Sequence, residues 1–288
     1  LLQDVSLMRS AEEFLSHPDF DKARSVYIEA MLGLHENQQV LNRLLFDEGR
    51  AFVFMTLITA YAGYVEHDRN TWPTTDLLKR ELTALGIASK GRIYDILKRL
   101  SDLGYVEAAV APGDRRAKIL MPSQKMLDHD KQALRVYYAP LQALFPQPGY
   151  PEPLMGDEPF QKIARQIGFS FVAHSRQFIM ANPTIAFFLP RQGGMMVLTK
   201  LMKLCLHQPD GRVPAISLAG LGKIFGLSRT HVRVLLHDAE SHGFLTMHGK
   251  TVSLTEQCRA GFDRFLADTM AGNDVIYRMA KQRLASAA

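Results

Sequence analysis

Two runs of side chains have the types and spacing to do chemistry, and in both it is charge and hydrogen bonding offered to a polyanion. The first is Ser89, Lys90, Gly91, Arg92, Tyr94, Asp95 and Lys98; the second is Ser228, Arg229, Thr230, His231, Arg233, Val234 and His237. Each run opens a predicted helix, where free N–H groups and the helix dipole favour phosphate and the side chains reach base edges in a major groove. Arg92, Arg229 and Arg233 have the fork to grip guanine at two points, worth about 1–3 kcal/mol of discrimination each. Gly91 admits close approach of backbone to phosphate. Val234 is apolar on a polar face, which either a thymine methyl or burial against a following hairpin explains. Arg115, Arg116 and Lys118, and later Lys250, fall on predicted hairpins, placed for phosphate or minor-groove contact.

Other chemistries lack their residues. There is no glycine-rich phosphate loop, no His-Glu-x-x-His, no Gly-x-Ser-x-Gly and no Cys-x-x-Cys, so no enzyme activity and no cofactor is expected. Asp238 and Glu240 stand two apart on a helix and point in different directions, a poor acid–base pair. His231, His237, His242 and His248 follow at spacings of six, five and six, which do not share a helical face, so no metal site is expected. Their imidazoles would strengthen anion binding at mildly acid pH.

The elements that must position these residues are legible from caps, glycines and apolar periods. Ser217 caps a helix that Gly226 ends; Ser228 caps a second, with Val232, Leu235, Leu236 and Ala239 on one face and Gly243 as its stop. Upstream, Thr74 or Thr75 caps a helix to about Leu85 and Gly86 turns the chain. Ser89 then caps a helix with Ile93, Ile96, Leu97, Leu100 and Leu103 inward, closed by Gly104. A hairpin with a Pro112-Gly113-Asp114 tip follows, and a shorter one runs from Phe244 to Leu254. The stretch from Gly86 lies over the stretch from Gly226 with one extra residue in its first turn: Ser89 on Ser228, Ile93 on Val232, Gly104 on Gly243, Tyr105 on Phe244. That is an internal repeat. Leu82 departs from it, standing where the second copy has Gly222.

A buried helix, Ala51–Val65 in the first copy and Gly194–His207 in the second, precedes each repeat, so each unit reads helix, helix-turn-helix, hairpin: the winged-helix arrangement. The expected fold is mainly α, with two winged helix-turn-helix domains at 47–125 and 191–256. A helical N-terminal arm at 1–46, a connector at 126–190 and a C-terminal segment at 257–288 complete it. The acidic, amphipathic arm, broken near His17-Pro18, packs either on a partner or on its own chain. Met126–Phe145 and Gly156–Ala181 read as helices and Pro146–Pro153 as a rigid link. Gln208–Ala215 reads as a loop, and Thr255–Ala288 as one helix or two broken near Gly272-Asn273.

The second copy looks like the helix-turn-helix of a transcription regulator. The first resembles the multiple-antibiotic-resistance regulator (MarR-like) family over roughly Leu77–Pro122, the carrier being PGDRRAKILMP at 112–122. The resemblance implies that Asp114 braces an arginine, Arg115 or Arg116, which enters the minor groove.

Charge agrees with a polyanion partner. The chain of 288 residues carries +5, but residues 1–50 hold five Lys/Arg against nine Asp/Glu, so the remainder is markedly basic. An apolar fraction of 47% belongs to a globular protein. The longest apolar run, Ala51–Ala62, is shorter than the about 20 residues of a membrane span, so no membrane is expected. Cys205 and Cys258 read as reduced thiols in a cytoplasmic protein. No signal peptide is visible, and Leu1 in place of Met leaves room for a start upstream. The expected function is sequence-specific binding of double-stranded DNA in transcription regulation, by a monomer with paired units or by a homodimer. A plasmid-type replication initiator and a winged-helix protein–protein adaptor are the alternatives. A small-molecule effector stays open, with a cavity near Phe171, Phe178, Phe187 and Phe188 set against the plainer reading that these rings are core.

Overall fold

The computed structural model describes residues 9–206, 208, 212–213, 217–249 and 251–287, with backbone alone at 39, 41, 169, 170, 172–176, 178 and 287. The fold is mainly helical. It opens with α1 (Ala11–Leu15), α2 (Phe20–His35) and α3 (Gln39–Leu45). Ser10 and Glu13 cap α1 reciprocally. Of the two destinations open to the acidic arm, the chain itself is the one taken. Ala23, Tyr27, Ile28 and Leu32 of α2 are buried, packed on α7 (Gln124–Leu144) and α11 (Gly194–Cys205). Its carboxylates stand at the edge of that contact, Glu29 pairing with Lys203 and Glu36 with Lys200, each at 2.7 Å.

The first unit contains α4 (Glu48–Ala62), α5 (Thr75–Ala84), α6 (Lys90–Asp102) and the antiparallel strands β1 (Val106–Ala111) and β2 (Asp114–Pro122). Thr74 is the cap of α5, and Ser89 that of α6. Leu57, Leu78, Leu82, Ile93 and Leu100 close a core of its own. Each fully buried side chain of this size contributes about 1.5–3 kcal/mol.

The connector is α7, α8 (Pro151–Met155), α9 (Glu158–Ala181) and α10 (Pro183–Phe188). The proline-rich link is therefore partly helical: Pro151 supplies the fixed φ of a first helical residue, starting α8 inside the stretch read as a spacer. The second unit follows as α11, β3 (Arg212–Val213), α12 (Leu218–Phe225), α13 (Arg229–Ser241), β4 (Leu245–His248) and β5 (Thr251–Leu254), in strand order β3-β5-β4. Arg212 and Val213 thus form a strand inside a stretch whose composition reads as loop, because the free edge of β5 supplies their partners. The rest of that loop, 209–211 and 214–215, lies outside the described residues. In the first unit the matching place is taken by a single bond, the Leu120 N–H to the Pro73 carbonyl at 2.8 Å. Pro73 has no N–H to extend a ladder.

The repeat holds down to individual bonds. Tyr105 N–H reaches the Leu100 carbonyl as Phe244 N–H reaches that of Ala239, and Ser123 closes on Tyr105 as Thr255 closes on Phe244. The exception at Leu82 has a steric cause. In the shorter turn a Cβ on Gly222 would stand 2.5 Å from the Leu227 carbonyl oxygen. The extra residue of the first turn leaves room for Leu82, which is fully buried. Gly222→Ala is accordingly expected to destabilise the protein by about 1–3 kcal/mol in urea titration; an unchanged midpoint would refute the close approach.

The chain ends in α14 (Glu256–Ala287), one helix with no break at Gly272-Asn273. Phe262, Leu266 and Met270 of α14 join the larger core with α2, α7, α9, α11 and the second unit. Phe187 and Phe188 are buried in that core against Phe244, and Phe171 packs partly buried on it. They are core, as the plainer reading has it; the Phe178 side chain lies outside the described residues.

Where the two cores meet, His35 and His129 are both buried, rings 6.2 Å apart. Burial, then repulsion from His129, pushes the His35 pKa down to about 4. Burial likewise lowers that of His129. Both imidazoles stay neutral in the folded chain while the unfolded chain takes up protons below about pH 6.5. Stability is therefore whole above that pH and is lost as pH falls toward 4. His35 alone accounts for roughly 3 kcal/mol of that loss. Urea midpoints between pH 7.5 and 4.5 check this, and His35→Phe should flatten the slope.

Candidate nucleic-acid interface

Ser89 places the first run. Its hydroxyl accepts the Arg92 N–H at 3.3 Å and starts α6 in register. Lys90, Gly91, Tyr94 and Lys98 are then exposed. A Cβ on Gly91 would meet nothing within 4 Å, so the chain's own packing does not demand a glycine there. Tyr94 is 53% exposed, with the Lys79 ammonium 5.4 Å from its ring centre. Lys98 pairs with Asp102 a turn later at 2.8 Å.

Arg92 is placed differently from its expected free projection. Its Nη2 donates to Asp47 Oδ1 at 3.0 Å, although its side chain remains 54% exposed. Asp47 also accepts the Arg50 N–H and pairs with the Arg50 Nε. Beside this cluster runs a groove of about 570 Å3 lined by Arg43, Arg50, Arg92 and Arg99, with Asp95 on its wall. Arg99 was legible in advance, seven residues after Arg92 on one helical face. Arg43 and Arg50 were not, because only the tertiary fold lays the start of α4 and the end of α3 along α6.

Arg115, Arg116 and Lys118 are exposed along the hairpin. Asp114 at its tip has other partners than the resemblance implies. Its carboxylate accepts the Arg116 backbone N–H at 3.0 Å and pairs with Arg69 at 2.9 Å, so it braces the backbone of the tip and not the Arg115 or Arg116 side chain. Arg69, itself 73% exposed, adds a further cation to the tip that no local pattern announced.

On α13, the Ser228 hydroxyl accepts the His231 N–H at 3.0 Å. Arg229, Thr230, Arg233 and His237 are exposed, and Val234 is 49% exposed in place of being covered by the hairpin. His231 is withdrawn from this face: its Nε2–H donates to the Gln192 carbonyl at 2.7 Å. Gln192 also lines the arginine groove, so the first turn of α13 is anchored to a residue of that groove's wall. His237 lies 3.8 Å from Glu240. His242 packs on Phe187 and bonds the Asp238 carbonyl, so the four histidines do not act together. Lys250 lies outside the described residues. Among the described residues no group of three or more His, Cys, Asp or Glu could hold a metal ion, and no helix is long and apolar enough to cross a membrane.

The arrangement offers two capped helix starts with exposed cations, a basic hairpin and an arginine-lined groove between. Donors of this kind, spread over several elements, suit repeated phosphates better than one small anion. Comparison with protein-family models, with curated proteins and with solved structures found no match.

Proposed function

We propose that the chain is a sequence-specific double-stranded DNA-binding protein of transcription regulation, using two winged-helix units. The observation that carries this is that both capped helices leave their first turns uncovered, with Lys90, Gly91 and Tyr94 on one and Arg229, Thr230 and Arg233 on the other. A three-stranded sheet behind α13 and a basic hairpin behind α6 support the winged-helix reading. In it α6 and α13 enter major grooves while Arg115, Arg116 and Lys118 hold phosphate or the adjoining minor groove.

The test is affinity of the full chain for random-sequence duplex over a range of salt. About six phosphate contacts give a slope of log K on log salt near −5. A flat line, or no binding at low salt, overturns the reading and leaves a protein–protein adaptor. In site selection from a random pool, Arg92→Ala should change the preferred sequence, whereas Arg115→Ala should weaken all sites alike.

The Asp47 pairing adds a consequence. To reach DNA, Arg92 must leave Asp47, a partly exposed pair worth about 0.2–1 kcal/mol. Asp47→Asn keeps a good helix cap and loosens that hold. Duplex affinity should rise by up to about 5-fold; a fall would mean that Asp47 holds Arg92 in its reading position.

A further inference from the structure

The groove beside α6 collects four arginines from three elements: Arg43 from α3, Arg50 from α4, and Arg92 and Arg99 from α6. Along α6 its lining is Arg92, Asp95, Ile96 and Arg99, at i, i+3, i+4 and i+7, so it follows one flank of that helix. Val40, 63% exposed, and the buried Leu44 and Ile96 are its apolar lining.

The charges in it do not cancel. Asp47 takes both Arg92 and Arg50, and Arg50 also donates to the Arg43 carbonyl, so Arg50 is a fixed cation in the wall. Arg43 and Arg99 are exposed and form no ion pair among the described residues. Four guanidiniums face the two carboxylates of Asp47 and Asp95, which leaves two positive charges over. Cations gathered without counter-charge repel one another, a cost that a bound anion removes.

Nothing in the repeat demands these arginines. Laid over the second copy, Arg92 falls on His231 and Arg99 on Asp238, and α13 buries its inward face all the same. The cationic flank is thus an addition peculiar to α6. Gln192, in the wall of the same groove, holds His231 through its carbonyl. The two equivalent positions therefore meet at one groove, and whatever fills it lies beside the first turns of both helices. A helix about 10–12 Å across nearly fills a major groove about 12 Å wide, so its flanks meet the backbones that border the groove.

We propose that the arginine groove seats the sugar–phosphate backbone of one strand of the duplex that α6 enters. Arg43 and Arg99 take its phosphates, Arg50 stands beside them as a fixed charge, and the apolar lining lies against deoxyribose. Resting on the DNA-binding reading above, the site makes the two units unequal. The first is anchored to the backbone along a flank of α6, whereas α13 offers its exposed first turn.

The test is Arg43→Ala with Arg99→Ala in the full chain, titrated against a labelled random-sequence duplex over a range of salt. Affinity at low salt should fall roughly 20-fold and the salt slope should flatten by about two units, equally on random and on selected sequences. Both side chains are exposed, so the urea midpoint should stay at that of the wild type. If the double variant does not fold, Arg43→Gln alone decides, with a flattening of about one unit expected. Ethylation of duplex phosphates locates the contact: at about two positions it should weaken the wild-type chain and leave the double variant indifferent. A folded variant with wild-type affinity and slope overturns the groove site and leaves the DNA-binding reading standing. A loss confined to selected sequences, or one with slope and ethylation pattern unchanged, overturns it too. A wild-type chain that binds no duplex at low salt takes down that reading, and the groove site with it.

Discussion

Replacing Arg165 by methionine is expected to lower the unfolding free energy by about 3–5 kcal/mol. Its partner Asp130 is 1% exposed and holds the guanidinium through bonds of 2.5 and 3.1 Å, with Gln161 donating a third at 2.6 Å. Removing the cation leaves a carboxylate inside the protein with one amide for company, and α7 can neither solvate it nor turn it out. Asp130→Leu with Arg165→Met removes both charges, so the double variant should lose less than the single one. Urea denaturation of the three proteins decides it. If Arg165→Met costs under about 1 kcal/mol, the pair is solvated and α7 packs on α9 more loosely than these distances imply.

Alanine at Arg115, Arg116 and Lys118 together should weaken binding to random duplex roughly 100-fold at low salt and flatten the salt slope by about three units. All of these side chains are exposed, so the same triple variant should unfold close to the wild-type midpoint. Stability and affinity then separate cleanly in one protein. Fluorescence anisotropy with a labelled duplex gives the slope. A loss of affinity with the slope unchanged would mean that the hairpin acts through shape and not by neutralising phosphates. No loss at all would move the polyanion contact to the arginine groove beside α6, where Arg43, Arg50 and Arg99 offer the same charge.

Local rules carried the reading of the two repeated units a long way. A serine hydroxyl reaches an N–H three residues on, so Ser89 and Ser228 mark the starts of α6 and α13 from sequence alone. Gly86 and Gly226 take positive φ where a Cβ would be penalised, so the turns were equally plain. The inward faces followed from period alone, since Ile93, Leu97, Val232 and Leu236 sit one helical turn apart and all are buried. The one misfit in the repeat, Leu82 against Gly222, became intelligible only when the Leu227 carbonyl was seen beside the glycine.

What an apolar stripe cannot say is which stripe it meets. Nothing within α2 distinguishes a helix awaiting a partner from one laid on α7, more than a hundred residues away, and only the packed chain makes that choice. The same holds for Arg92, a cation free to project until Asp47, 45 residues earlier, comes within 3.0 Å of it. It holds for β3, whose two residues are strand only because β5 leaves an edge beside them, and for the arginine groove, which brings Arg43 and Arg50 beside Arg92 and Arg99 of α6. Caps, turns and inward faces were determined by the sequence because their physics acts within a few residues. Partners, ion pairs and grooves were decided by tertiary structure, because they depend on distances that exist only after the chain has closed on itself.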